Sequence, residues 1–408
     1  SSSDSSSSSN DWPTEFLNAV SPQYAKANSQ RFSATEHVAA SAANNEYGED
    51  IRDQFLDMNM KADILSYPGI YLSHYNHSSL RQVNPSNPEQ TITEFDLSSD
   101  YIPEDATSNT SYRKQAWLGY SPSGTVTGYV VYVNYGNDKD FDVLMNKLNF
   151  QLQNKSVIAM VRYGALLRGI KALNAAAHGF KAVIVFSDPE DYGFVNGDVV
   201  PNGPWLPDSG FQRGSAAFIN RCFGNPSRER AIERCGYDNE SYILPSIPII
   251  PISYGNAKIL MDQMSGAYVN DSQFTQSWQG GMDTPYRIGT LNENDGVMVT
   301  LSTSNTYGPP VTIQNVRGVI RGETFPNETI IYGAHRDAWV FGAVDPISGT
   351  TSIIEVARAF STIYEKGWRP KRNIVFLSWD AEEFNLIGST QYAEDAEEFI
   401  KNEVVAYF

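Results

Sequence analysis

Apolar positions along the chain fall into three textures. Residues 1–10 are nearly all serine and read as a disordered, solvated linker. Residues 11–59 carry a helical period, with Ser33 or Thr35 as a cap. A short strand ended by Pro68 follows at 63–68. From about 61 to 292, brief apolar runs alternate with Gly, Pro, Asn and Asp. Strands are expected at 126–134, 156–162, 182–186 and 247–252, and helices at 169–177 and 256–264.

From about 295 the pattern becomes α/β. Residues 297–303 and 314–321 alternate. Residues 329–334 and 373–379 are continuous apolar runs, as buried central strands should be. Helices are expected at 350–365 and at 389–402, the second capped by Ser389, and a strand begins at 404. The expectation is an α/β mixed sheet with helices that breaks off in mid-alternation. Its parts would be 11–60 and 293–408, with a β/α module inserted at 61–292.

Composition narrows the function. The chain has 408 residues and a formal net charge of -17. An acidic surface repels phosphate backbones, so no nucleic-acid partner is expected. Nothing approaches the ~18 apolar residues of a membrane span. Cys222 and Cys235 are the only cysteines. They are either two buried thiols or one bridge, worth roughly 3 kcal/mol if unstrained. Asn76, Asn109, Asn154, Asn239, Asn270 and Asn327 begin glycosylation sequons, which permit a secretory route.

Two segments carry candidate chemistry: Gly333 to Asp345, and Trp379 to Phe384. Each follows a buried strand, and ligand crevices form at the carboxyl ends of strands in open α/β sheets. His335, Asp345, Glu382 and Glu383 would therefore share one rim. An imidazole and carboxylates suit a hydrolytic zinc site. One glutamate can bind metal while its neighbour serves as general base. Asp337 could hold the imidazole's other nitrogen. His335-Arg336-Asp337 also matches the start of a protein-kinase catalytic loop. That loop needs Asn five residues after the Asp, and Gly342 stands there.

The run His335 to Pro346 resembles the metal-binding segment of the glutamate carboxypeptidase family. So do Gly367-Trp368-Arg369-Pro370, Ser378 to Phe384 and Leu386 to Thr390. Arg162-Tyr163-Gly164, Leu167-Arg168-Gly169, Ser187 to Tyr192 and Gln212-Arg213-Gly214 resemble its protease-associated domain. The family also includes the transferrin receptor, a non-catalytic binding protein, so a pseudoenzyme is the alternative.

The resemblance implies a zinc-dependent metallocarboxypeptidase that removes an acidic C-terminal residue from peptides. It implies two zinc ions, with His335 on one, Glu383 on the other, Asp345 bridging and Glu382 as general base. Arg168 and Asn220 would bind the substrate. It further implies a lumenal, vacuolar or extracellular location, with a membrane anchor outside these residues as one form, and a homodimer. Two further metal ligands, an Asp and a His, have no counterpart in the 25 residues after Glu383. The dimerisation domain has none either. Little activity is therefore expected of these 408 residues alone. The family's calcium site is incomplete: Glu394 matches one ligand, and Gln391 stands where a second acid belongs.

Overall fold

The computed structural model describes residues 11–236, 243–269, 274 and 278–408. The serine-rich stretch expected to be a disordered linker lies outside them. The chain divides into two compact units: Ser1–Ile70 with Pro310–Phe408, and Tyr71–Pro309. Each is taken by itself.

The first unit opens with three capped helices, α1 (Trp12–Ala19), α2 (Pro22–Phe32) and α3 (Ala42–Asp57). Asp11, Ser21 and Ser41 each accept a backbone N–H of the first turn, satisfying an otherwise orphan donor. Strand β1 (Lys61–Ile70) follows. It continues through Pro68 instead of ending there, because it is an edge strand with a register shift between Tyr67 and Ile70.

The second unit holds β2 (Ser73–Asn84), β3 (Asn87–Glu94), β4 (Gly124–Tyr132), α4 (Asp138–Asp142), β5 (Val157–Arg162), α5 (Arg168–Ala177), β6 (Ala182–Phe186), α6 (Pro189–Tyr192), α7 (Arg228–Cys235), β7 (Ile249–Ile252), α8 (Tyr254–Met261) and β8 (Met298–Tyr307). Its seven strands run in the order β3-β2-β8-β4-β5-β6-β7. The last four are parallel. The β2–β3 hairpin escaped the sequence pattern because β3 is polar and exposed almost throughout. Cys222 and Cys235 form a disulfide with Cα atoms 6.0 Å apart, which resolves the two sequence-based alternatives.

The chain then returns to the first unit with β9 (Val311–Ile320), β10 (Phe325–His335), α9 (Ile347–Glu365), β11 (Arg372–Trp379), α10 (Ile387–Asp395), α11 (Glu397–Glu403) and β12 (Val404–Tyr407). The strand order is β1-β9-β11-β10-β12. β10 runs parallel to β11 and β12, while β9 is antiparallel to β1 and β11. Ile374 and Phe376 pack with Phe55, Val316 and Ile354 in one core. Strand alternation sends Asn373 and Val375 to the other face, where a cavity of about 180 Å³ is lined also by Tyr392 and Phe399.

Two boundaries differ from expectation. The inserted unit starts at 71 and ends at 309, not at 61 and 292, because β1 pairs with β9 and β8 pairs with β2. The helix expected at 389–402 is broken at Ala396 into α10 and α11. Ser389 is not its cap: α10 begins after Leu386, which sits in the left-handed region at φ 59°.

Candidate metal centre

His335 ends β10 and is paired in register with Trp379, the last residue of β11. The segments that follow these parallel strands therefore leave the same edge of the sheet. After Trp379 the backbone turns sharply. Ala381, Asn385 and Leu386 all have positive φ, a conformation that costs energy for non-glycine residues and persists only where surroundings enforce it. Gly388 is part of that enforcement. A Cβ there would lie 2.1 Å from the Asp380 carbonyl oxygen.

The turn is held by Asp337, which is fully buried. Its Oδ1 accepts the Glu382 N–H at 2.9 Å and its Oδ2 the Glu383 N–H at 3.2 Å. One carboxylate thus ties the β10 segment to both glutamates. The sequence suggested it as the partner of the His335 ring. Its carboxylate does lie 3.6 Å from Nδ1, but Nδ1 is closer to the Asp337 main-chain oxygen, at 3.1 Å.

His335 Nε2 is 3.1 Å from Asp345 Oδ1, and its Nδ1 is 3.8 Å from Glu382 Oε2. The Asp345 side chain is 74% exposed and Glu382 31%, so the group opens outward. Glu383 turns aside, accepting the Trp339 indole N–H at 2.7 Å. His335, Asp345 and Glu382 therefore come together, with Glu383 joined through Asp337 and Trp339. Among the described residues, no three His, Cys, Asp or Glu side chains are arranged to hold a metal ion.

The electrostatics are those of an acid-rich pocket. Burial pushes the Glu383 carboxyl up to about 8, reinforced by the charges of Asp337, Asp345 and Glu382. Burial opposes a charged His335, yet the Asp337 and Asp345 carboxylates, with Glu382, outweigh it and push the imidazole up to about 11. One imidazole against this many acids is a donor set that a divalent cation would neutralise.

Of the other expected positions, Arg168 and Asn220 belong to the second unit, and Glu394 lies on α10. Arg168 begins α5 in the second unit, its guanidinium centre 5.4 Å from the Tyr163 ring centroid and its Nε buried without a hydrogen-bond partner. A Cβ on Gly214 would press on the guanidinium at 2.2 Å. Asn220 is exposed, two residues after buried Phe218. Glu394 accepts the Gln391 amide N–H at 3.2 Å. Sequence reasoning missed Trp339 as the Glu383 partner, although it stands inside the resembling run. It also missed Asn44, for which no local signal exists.

Residues 315–408 match Peptidase family M28, and residues 124–219 match the PA domain. The chain carries an M28 peptidase region and a PA domain. It is 37% identical over 307 residues to aminopeptidase NAALADL1 of Mus musculus, covering 72% of this chain and 40% of that protein. It is 35% identical over 397 residues to the glutamate carboxypeptidase 2 homolog of Caenorhabditis briggsae, covering 92% and 49%. The chain thus spans about half the length of the curated relatives it matches. Its fold is that of BSAP, a zinc aminopeptidase from Bacillus subtilis. The TM-score is 0.52 at 17% identity, over 94% of this chain and 67% of that one.

Proposed function

We propose that this M28 chain belongs to a zinc-dependent metallocarboxypeptidase of glutamate carboxypeptidase type, releasing an acidic C-terminal residue from peptides. The observation that carries the reading is the outward-facing group of His335, Asp345 and Glu382 beside Glu383, tied together by Asp337. His335 and Glu383 would each hold one of two zinc ions, and Asp345 would serve both. When bound, zinc supplies Lewis-acid polarisation of the scissile carbonyl and acidifies the attacking water. Glu382 would accept a proton from the attacking water on its carboxylate and deliver it to the leaving amine. Asp337 keeps Glu382 and Glu383 oriented through their backbone amides.

The family resemblance would give Arg168 the substrate's terminal carboxylate, through a bidentate guanidinium pair, with Asn220 assisting. Calcium is not carried into this reading, since Glu394 takes an amide donor instead. The Cys222–Cys235 bridge supports an oxidising compartment. The exposed sequon residues Asn76, Asn109, Asn154 and Asn327 agree with a lumenal or extracellular glycoprotein. A homodimer remains the proposed assembly.

An aminopeptidase is the second reading, favoured by the name of the mouse relative. The natural full-length protein separates the two. With zinc, an N-acetylated dipeptide ending in glutamate should be cleaved, and an aminoacyl amide should not. Cleavage of the amide alone would replace the first reading by the second.

A further inference from the structure

Beneath the site loops lies a buried ion pair that the proposed chemistry does not use. Arg336 and Asp380 are both fully buried, with Nη2 3.5 Å from Oδ2. Each comes from one site loop: Arg336 stands between His335 and Asp337, and Asp380 two residues before Glu382. Helix α3 closes the pair from both sides through a single residue. The Asn44 amide donates to Asp380 Oδ1 at 2.7 Å, and the Asn44 main-chain oxygen accepts from Arg336 Nε at 3.1 Å.

Further bonds complete the knot. Arg336 Nη1 donates to the Ser378 carbonyl at 3.2 Å, and Nη2 donates to the Gln314 carbonyl. Asp380 accepts the backbone N–H of Gln314 at 2.9 Å and of Ala40 at 3.4 Å. Segments around α3, β9, β10 and β11 thus meet at two charges. Gly48 leaves room for the guanidinium, where a Cβ would approach its carbon to 3.2 Å. The loop before α3 also grips the β10 segment directly. His37 N–H donates to the Val340 carbonyl, and the His37 carbonyl accepts the Ala338 N–H, each at 3.1 Å.

Apolar residues of similar volume often stabilise a core as well as a buried ion pair does, so stability alone is a weak reason for this one. Fixed geometry is a better reason, because a bidentate-capable guanidinium with fully assigned acceptors defines distance and angle together. We propose that Arg336, Asp380 and Asn44 are positioning residues that set the spacing between the His335 loop and the Glu382–Glu383 turn. The consequence for zinc rests on the reading of these loops as a metal site.

The test compares Asn44→Ala with Phe55→Leu in the 408-residue chain. Phe55 is a fully buried residue of the same helix, packed 5.9 Å from the Phe376 ring and outside the knot. Hydrogen exchange of the Glu382 and Glu383 amides is measured, together with zinc affinity by calorimetry, well below the melting temperature. N44A should speed exchange at those amides at least tenfold and weaken zinc binding at least tenfold. F55L should lower the melting temperature while leaving both readouts unchanged. Equal effects from the two variants, or none from N44A, would overturn the proposal. If the wild-type chain binds no zinc, the metal reading fails, and the exchange rates still decide the positioning role.

Discussion

Both units bury charge at the carboxyl ends of parallel strands, with opposite outcomes. In the second unit, Arg162 ends β5 fully buried. It pairs with Glu190 at 3.1 Å and donates to the Asn134 side chain at 3.0 Å. Asp188, just beyond β6, accepts the N–H groups of Glu190 and Gly281 and the Tyr286 hydroxyl. Lys171 Nζ donates to the Tyr135 and Gly164 carbonyls at 2.7 and 2.8 Å. These charges are absorbed by neighbours, as buried charges must be in a stable core. In the first unit the Arg336–Asp380 pair is equally enclosed, but the layer above it is not. His335, Asp345 and Glu382 form a charged group that opens outward. The two strand ends differ in exposure: one set of charges is enclosed, and the other faces outward with Asp345 74% exposed.

The largest effect should come from the open layer. Glu382→Gln should lower the peptidase rate of the full-length protein by about 10²–10⁴-fold, with zinc affinity and melting temperature retained. Retained activity would mean that another group moves the proton. Next is Gly388→Ala, whose Cβ meets backbone and cannot be accommodated by a rotamer change. Urea denaturation should show a loss of about 1–3 kcal/mol.

The closed layer should respond in stability and not in chemistry. Burial pushes Lys171 down to about 7 from 10.5, despite Asp140 nearby. Between these values the unfolded chain holds a proton that the folded chain has lost. Stability therefore rises with pH across that window. Lys171→Met should remove this rise, flattening the pH dependence of the folding free energy between about 7 and 10.5, while zinc binding stays as in the wild type. The smallest effect is expected from Trp339→Phe. Loss of its hydrogen bond to Glu383 should cost about 1 kcal/mol in thermal denaturation.

Local patterns were legible in the sequence. β6 spans the expected 182–186, and β5, β10 and β11 lie around their apolar runs, because fully buried strands need continuous apolar residues. The site rim was legible because its residues follow two such strands. Other features depend on partners far away in the chain. The polar β2–β3 hairpin has no apolar period. The break at Ala396 has no Gly or Pro to announce it. The role of Asn44 arises only when α3 packs against residues 292 and 336 positions later.

The proposal at stake is that His335, Asp345 and Glu383, oriented through Asp337, would take up a cation. Calorimetric zinc titration of the 408-residue chain tests it directly, with Asp345→Asn and Glu383→Gln beside the wild type. The account predicts weak but measurable binding to the wild type, reduced at least tenfold in each variant at unchanged melting temperature. Zinc affinity identical in all three proteins would contradict it.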